Sequence, residues 1–311
     1  MLAITGASGK LGGATLSALL SYKLVQPSSI VAITSSQPES KTWTTLASKG
    51  VNVRHGTFDD ASTLETALQG CTKFFLVSTP RIELDFNDAP EGQGREKHHM
   101  AAINAARRAG VRHIYYSSLA FGNPSKAGVM RAHIRTEAYL ASLKDVKVTI
   151  IREGLYNESW PLYLGYYDPK GDDRETVPLA GDGKICWTAI DDLGLGNALV
   201  LEAPSDNYAG KTFYLSTGPD TAKTMQDVAA LVAKNRSQAV SVELVGRKGH
   251  EDFYIKTRNM DAPAVEWWSS TYDALRDGEC LINDPTLTKL LDSKGRKAIP
   301  MEGTVAAMVR G

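Results

Sequence analysis

The residues best equipped for chemistry come first in the chain. Thr5-Gly6-Ala7-Ser8-Gly9-Lys10-Leu11-Gly12 spaces its glycines three apart, between an apolar run at residues 2–5 and a helix-patterned segment at residues 10–21. In such a turn the first glycine permits the tight bend, the second lets the backbone approach a pyrophosphate, and the third lets helix and sheet pack closely. The helix start then offers unclaimed N–H groups and a partial positive charge to an anion. Gly6, Ser8, Gly9, Lys10, Leu11 and Gly12 are therefore expected to hold a dinucleotide.

The end of the second strand decides which dinucleotide. An acid there would bond the adenosine ribose of NAD. Residues 30–34 run instead into Ser35 and Ser36, which repel no phosphate. Ser35 can donate to a 2′-phosphate, and Lys41 or Lys10 can supply positive charge. NADP(H) is therefore expected rather than NAD(H). Of the adjacent Asp59 and Asp60, one is expected to reach the adenine amine and the other to cap a helix. Ser78, ending the fourth strand, is expected beside a cofactor ribose.

The acceptor end is less conventional. Short-chain dehydrogenases use a Tyr-x-x-x-Lys pair on one helix face, the lysine lowering the tyrosine pKa. Here the pattern occurs only as Tyr166-Tyr167-Asp168-Pro169-Lys170, which a proline and its late position disqualify. The helix expected to carry the pair presents His133 and Glu137, four apart on one face. They read either as a surface ion pair or as groups that orient the nicotinamide ribose or deliver a proton. Ser118, at a strand end, and Tyr156, whose ring can stack on a flat substrate, complete the catalytic candidates with His133. Aromatic packing is the competing reading for Tyr156. His98 and His99 are neighbours on a helix and point apart, so no metal site is expected.

The elements that must position these residues alternate. Strand-like runs near residues 2–5, 30–34, 51–54, 73–77, 113–117 and 147–152 are separated by helix-patterned segments, three of which end at Gly50, Gly70 and Gly110. Glycine closes a helix in the left-handed conformation, so these are C-cap signals. The expected fold is α/β: a Rossmann-like, doubly wound parallel sheet over residues 1–153. Residues 154–311 form a smaller α/β substrate domain, rich in aromatics, with some strands returning to the main sheet. The chain has 311 residues and balances 35 basic against 35 acidic side chains. That balance argues against a broad nucleic-acid surface. No apolar run approaches the ~20 residues of a membrane span. Cys71, Cys186 and Cys280 are widely spaced, and no secretory leader is read, so a reducing cytoplasm is expected.

Several longer motifs resemble a known family. With the glycine turn, Val51-Asn52-Val53-Arg54-His55-Gly56, Ala109-Gly110-Val111-Arg112-His113-Ile114 and Ala132-His133-Ile134-Arg135-Thr136-Glu137 are similar to the NmrA-like atypical short-chain dehydrogenases. So are Arg152-Glu153-Gly154-Leu155-Tyr156 and Tyr272-Asp273-Ala274-Leu275-Arg276-Asp277-Gly278-Glu279. The resemblance implies a monomer or homodimer that binds NADPH. Some members reduce quinones or cationic dyes, and others are redox-sensing regulators. It also marks two departures: Ser35 replaces an arginine, and Glu153 an asparagine. The leading expectation is a reductase of a planar, quinone-like or polyketide-like aromatic compound. The alternatives are an NADP(H) sensor without catalysis and a non-redox biosynthetic enzyme acting on an aromatic intermediate.

Overall fold

The computed structural model describes residues 1–310. The chain opens with six strands, β1 (Leu2–Ile4), β2 (Ile30–Thr34), β3 (Asn52–His55), β4 (Lys73–Leu76), β5 (His113–Leu119) and β6 (Lys147–Glu153). They alternate with α1 (Lys10–Ser21), α2 (Lys41–Ala47), α3 (Ala61–Leu68), α4 (Glu96–Arg108) and α5 (Met130–Ser142). Then come α6 (Trp160–Tyr163), β7 (Thr176–Leu179), α7 (Ile190–Glu202) and β8 (Thr212–Leu215). The last elements are α8 (Met225–Arg236), β9 (Ser241–Leu244), α9 (Gly246–Asp252), α10 (Ala262–Arg276), α11 (Thr286–Asp292) and α12 (Met301–Arg310).

The main sheet has the order β3-β2-β1-β4-β5-β6-β8, and every pairing in it is parallel. The order reverses between β1 and β4, so a crevice opens at their carboxyl ends. Side chains alternate across the sheet. Ile4, Phe75, Tyr115 and Ile151 face the layer of α1, α7 and α11, whereas Ala3, Phe74, Ile114 and Ile150 face α3, α4 and α5. Burial on both faces explains why these strands read as continuous apolar runs. Gly50, Gly70 and Gly110 close their helices with φ of +77°, +74° and +82°.

The chain beyond residue 153 does not stay apart. β8 hydrogen-bonds to β6 at the sheet edge, and α7 packs along α1. That packing is close: a Cβ on Gly194 would lie 2.7 Å from the Cβ of Ala14. The remaining elements surround a second core built on Trp160, Tyr163, Tyr167, Trp268 and Tyr272, beside the two-stranded sheet of β7 and β9. Tyr163 meets Trp187 and Trp268 edge-on, with ring centroids 5.2 and 5.0 Å away. Most of the aromatic run is thus core, and only Tyr156 faces the main sheet. Among the described residues, no helix is long and apolar enough to cross a membrane.

Gly194→Leu is expected to force α7 off α1 and cost about 1–3 kcal/mol, as overpacking does. Gly303, with open space around it in α12, is the control, and Gly303→Ala should change stability by less than about 1 kcal/mol. Urea unfolding measures both. An unchanged midpoint for Gly194→Leu would show that this packing is loose.

Candidate functional site

The turn between β1 and α1 has the shape its glycines imply. Gly6 takes φ +59°. Its carbonyl accepts the Gly9 N–H at 2.8 Å. A Cβ on Gly12 would stand 2.3 Å from that same oxygen, so only glycine lets α1 come this near. No side chain caps α1, which leaves its first-turn amides for a ligand. Leu11 is core, and only its backbone can serve a ligand. A cavity of about 290 Å³ opens beside the turn, lined by Gly6, Ser8, Gly9, Ser35, Asp59 and Arg81, among others.

At its far end, β2 closes with Thr34 and Ser35 facing the cavity and no acid among them. Asp60 caps α3 by accepting the Ser62 N–H at 2.9 Å. Asp59 is left to face the cavity, where Arg81 reaches it from the loop after β4, Nη1 to Oδ1 at 2.8 Å. Arg81 also pairs with Glu83. Arg81 is not among the cations the sequence offers for this role, which are Lys41 after β2 and Lys10 in the glycine turn. The structure also separates Lys41 from Ser35. Lys41 begins α2 and lines a neighbouring groove with Lys10, Lys49 and Asp191. Ser8 borders both spaces.

Toward β5 and β6 the floor is a buried polar lock. Ser118 donates to Glu137 Oε1 at 2.6 Å. Arg152 grips both carboxylate oxygens, Nε to Oε1 at 3.1 Å and Nη2 to Oε2 at 2.7 Å. Arg152 also donates to the Tyr214 hydroxyl at 2.7 Å and lies over its ring. Glu137 was expected to orient a ribose, and Ser118 to touch a ligand. In the structure the carboxylate accepts three hydrogen bonds from Ser118 and Arg152, and the serine's proton is committed to it. Nor do Glu137 and His133 form a surface pair, since both are buried and neither bonds the other. Ser78 is half-buried, its N–H bonded to Ser117 Oγ at 3.0 Å.

A second buried chain lies one turn away. The Thr79 N–H donates to His99 Nε2 at 3.1 Å. His99 Nδ1 lies 2.9 Å from Thr136 Oγ1 and 3.2 Å from the Tyr116 hydroxyl. The same hydroxyl lies 2.8 Å from His133 Nδ1. Burial holds both imidazoles well below the usual histidine pKa, Arg95 opposing charge on each, so both are neutral. His98 turns the other way, stacking on Phe58 and approaching Asp59.

Tyr156 follows β6, half-buried against the α1/α7 layer. Burial raises its phenol pKa, and Glu153 and Glu158 add to the shift, so it is a donor at neutral pH. Glu153, where the resemblance placed a departure, is buried with both oxygens unpartnered, and burial raises its pKa well above the carboxylate range. Glu158 accepts the Ile190 N–H at the start of α7, 3.2 Å from each oxygen.

With this geometry in hand, comparisons with known proteins agree over nearly the whole chain. Residues 1–252 match the model of the NmrA-like family. The chain is 30% identical to an NmrA-like family domain-containing oxidoreductase of Aspergillus flavus, over 98% of this chain and 94% of that one. It is 33% identical to quinone oxidoreductase 2 of Escherichia coli, over 78% and 77% of the two chains. The crystal structure of that NADPH-dependent enzyme with NADPH superposes with a TM-score of 0.79, at 29% identity and 99% coverage of both chains. Triphenylmethane reductase of Citrobacter sp., complexed with NADP(H), gives 0.79 at 25% identity and 99% coverage of both.

Glu137→Ala would leave the largely buried Arg152 guanidinium without a carboxylate, only the Tyr214 hydroxyl remaining as its partner, and is expected to cost about 3–5 kcal/mol. Ser118→Ala keeps the ion pair and should cost about 1 kcal/mol. Urea unfolding of the two variants separates these outcomes. Equal, small losses would mean that the lock does not hold the floor.

Proposed function

The chain belongs to the NmrA-like family, and from that premise we propose that it is an NADP(H)-dependent oxidoreductase that reduces a planar, conjugated acceptor of the quinone type. The observation that carries the reading is the cradle. A glycine turn that a Cβ would fill, an uncapped helix start and an adjoining cavity suit the pyrophosphate and adenosine of a dinucleotide. The relatives' NADPH and NADP(H) complexes, on the same fold, support the choice of cofactor.

Selection of the phosphorylated form rests on charge. No acid stands at the close of β2 to meet the adenosine ribose. Ser35 borders the cavity as a donor, and Arg81, paired with Asp59 and Glu83, brings a guanidinium to it. Lys10, Lys41 and Lys49 add positive charge in the groove that shares Ser8. A 2′-phosphate is attracted there.

Nicotinamide held in this cradle would supply the hydride chemistry. The chain's own residues position and shield. The β1–α1 turn holds the phosphates. The Ser118–Glu137–Arg152 lock keeps the ends of β5 and β6 rigid beneath the ligand. Tyr156 offers a protonated hydroxyl and a ring face to a flat acceptor. A quinone is already electrophilic, so it needs no Tyr/Lys acid of the usual kind, and this sequence has none.

Loss of the NADPH absorbance is expected to accelerate with a quinone, an enone or a cationic dye. NADH should be at least tenfold poorer, a difference of about 1.4 kcal/mol. Gly9→Val should remove this activity by closing the approach to Gly6, where a Cβ already lies 3.2 Å from the carbonyl oxygen. If no acceptor in such a panel is reduced, the proposal fails.

A further inference from the structure

We infer that His133 is a fixed neutral donor, its hydrogen held on Nε2 by a chain of bonds that starts at the Thr79 backbone, and that this favours acceptors carrying an oxygen that gains negative charge over those that do not. The inference rests on the reductase reading above and narrows its acceptor class.

Counting protons along the chain settles the tautomers. His99 Nε2 accepts an amide N–H, so the one proton of this neutral ring is on Nδ1. Nδ1–H therefore donates, chiefly to Thr136 Oγ1 at 2.9 Å, while Thr136 passes its own hydrogen to the Ala132 carbonyl at 2.7 Å. The Tyr116 hydroxyl cannot donate to a nitrogen that already carries a hydrogen. Its acceptor is His133 Nδ1, at 2.8 Å. With Nδ1 accepting and the ring neutral, the proton of His133 is on Nε2.

That atom is placed to meet a ligand. His133 lies in the first turns of α5, whose start adjoins the carboxyl edge of β5, and one turn before Glu137, the partner of Ser118 at that edge. The residue is 1% exposed; among the described residues nothing accepts from His133 Nε2, and this nitrogen is not one of the polar atoms sealed without a partner, so the small surface that the residue keeps includes Nε2. The groups packed around the ring are Tyr116 of β5, His99 of α4, Arg95 at the head of α4 with its partner Asp85, and Glu137 on α5 itself. Arg95 and Asp85 satisfy each other at 2.6 Å, and Glu137 is held by Arg152, so none of them offers His133 a counter-ion.

A neutral imidazole N–H is a hydrogen-bond donor and not a proton donor. It stabilises a carbonyl oxygen that becomes an oxyanion as the acceptor is reduced. The acceptor takes up two electrons and a hydrogen, and the proton that finally neutralises its oxygen comes from water. A cationic dye gains no oxyanion and draws no benefit from this donor. Of the two roles the sequence suggested for His133, proton delivery is thereby excluded. Tyr116 and His99 act through it as positioning residues.

The test begins without any cofactor. Long-range proton–nitrogen correlation spectra of the 15N-labelled protein should show His133 with a bare Nδ1 and a protonated Nε2, and His99 the reverse. Neither should titrate between about pH 5.5 and 8.5, whereas an unperturbed histidine would. A protonated His133 Nδ1, or an imidazolium at neutral pH, would overturn the inference whether or not the protein is a reductase. Tyr116→Phe should mix the two His133 tautomers; if that variant does not fold, the wild-type spectrum still decides. With 1,4-naphthoquinone and NADPH, His133→Leu should lower kcat by about 10- to 100-fold, and His133→Gln, which restores an N–H, should recover part of it. The loss should be at least tenfold greater with naphthoquinone than with a cationic triarylmethane dye. Equal losses on both acceptors would refute the oxyanion role. A protein that reduces no acceptor at all would refute the functional reading and leave the tautomer result standing.

Discussion

The architecture of the site hangs on how close α1 comes to the turn that precedes it. A hypothetical Cβ at Gly12 would overlap the Gly6 carbonyl, so the first helix can point its open amides along the crevice only because that position has no side chain. A similar approach recurs on the outer face of α1, where Gly194 lets α7 pack on Ala14. The helix that would hold the phosphates is thus fixed by the turn at one end and by an element from the far half of the chain along its side. The second half of the sequence braces the nucleotide site as well as covering it.

The carboxyl edge of the sheet is held by polar groups where most of this fold is held by apolar ones. Two buried networks sit about one helical turn apart on α5. One is ionic, Ser118 and Arg152 closing on Glu137. The other is neutral and runs from Thr79 through His99 and Tyr116 to His133. Buried polar networks of this kind are stabilising only when every member is satisfied, and they then define one arrangement of their groups. The first network anchors β5, β6 and α5 to one another. The second links the end of β4 to a side chain on α5. Tyr156 and the unpartnered acid Glu153 border this region on the opposite face of the sheet.

Local signals carried most of the fold in the sequence. Gly50, Gly70 and Gly110 announced helix ends, apolar runs announced strands buried on both faces, and the glycine turn announced its own geometry. Those features depend on residues near one another in the chain. What escaped were partners brought together from a distance. Nothing local marks Arg81 as the partner of Asp59, 22 residues earlier. Glu137 looked like a neighbour of His133 on one helix face, and its real partners come from two strands. Tyr116 and His99 are 17 residues apart, and only the fold places them side by side. The crowded aromatics after β6 were ambiguous for a similar reason, since packing and ligand binding select the same side chains, and only burial separates Trp160 from Tyr156.

The central claim is that the β1–α1 turn holds one NADP(H) molecule, with charge near its adenosine end selecting the 2′-phosphate. Isothermal titration of the unmodified protein with NADPH and then with NADH measures this directly. The account predicts one site per chain, with NADPH bound at least tenfold more tightly and its advantage shrinking as salt screens the phosphate contact. Equal affinity for the two nucleotides, or no saturable binding of either, would contradict it.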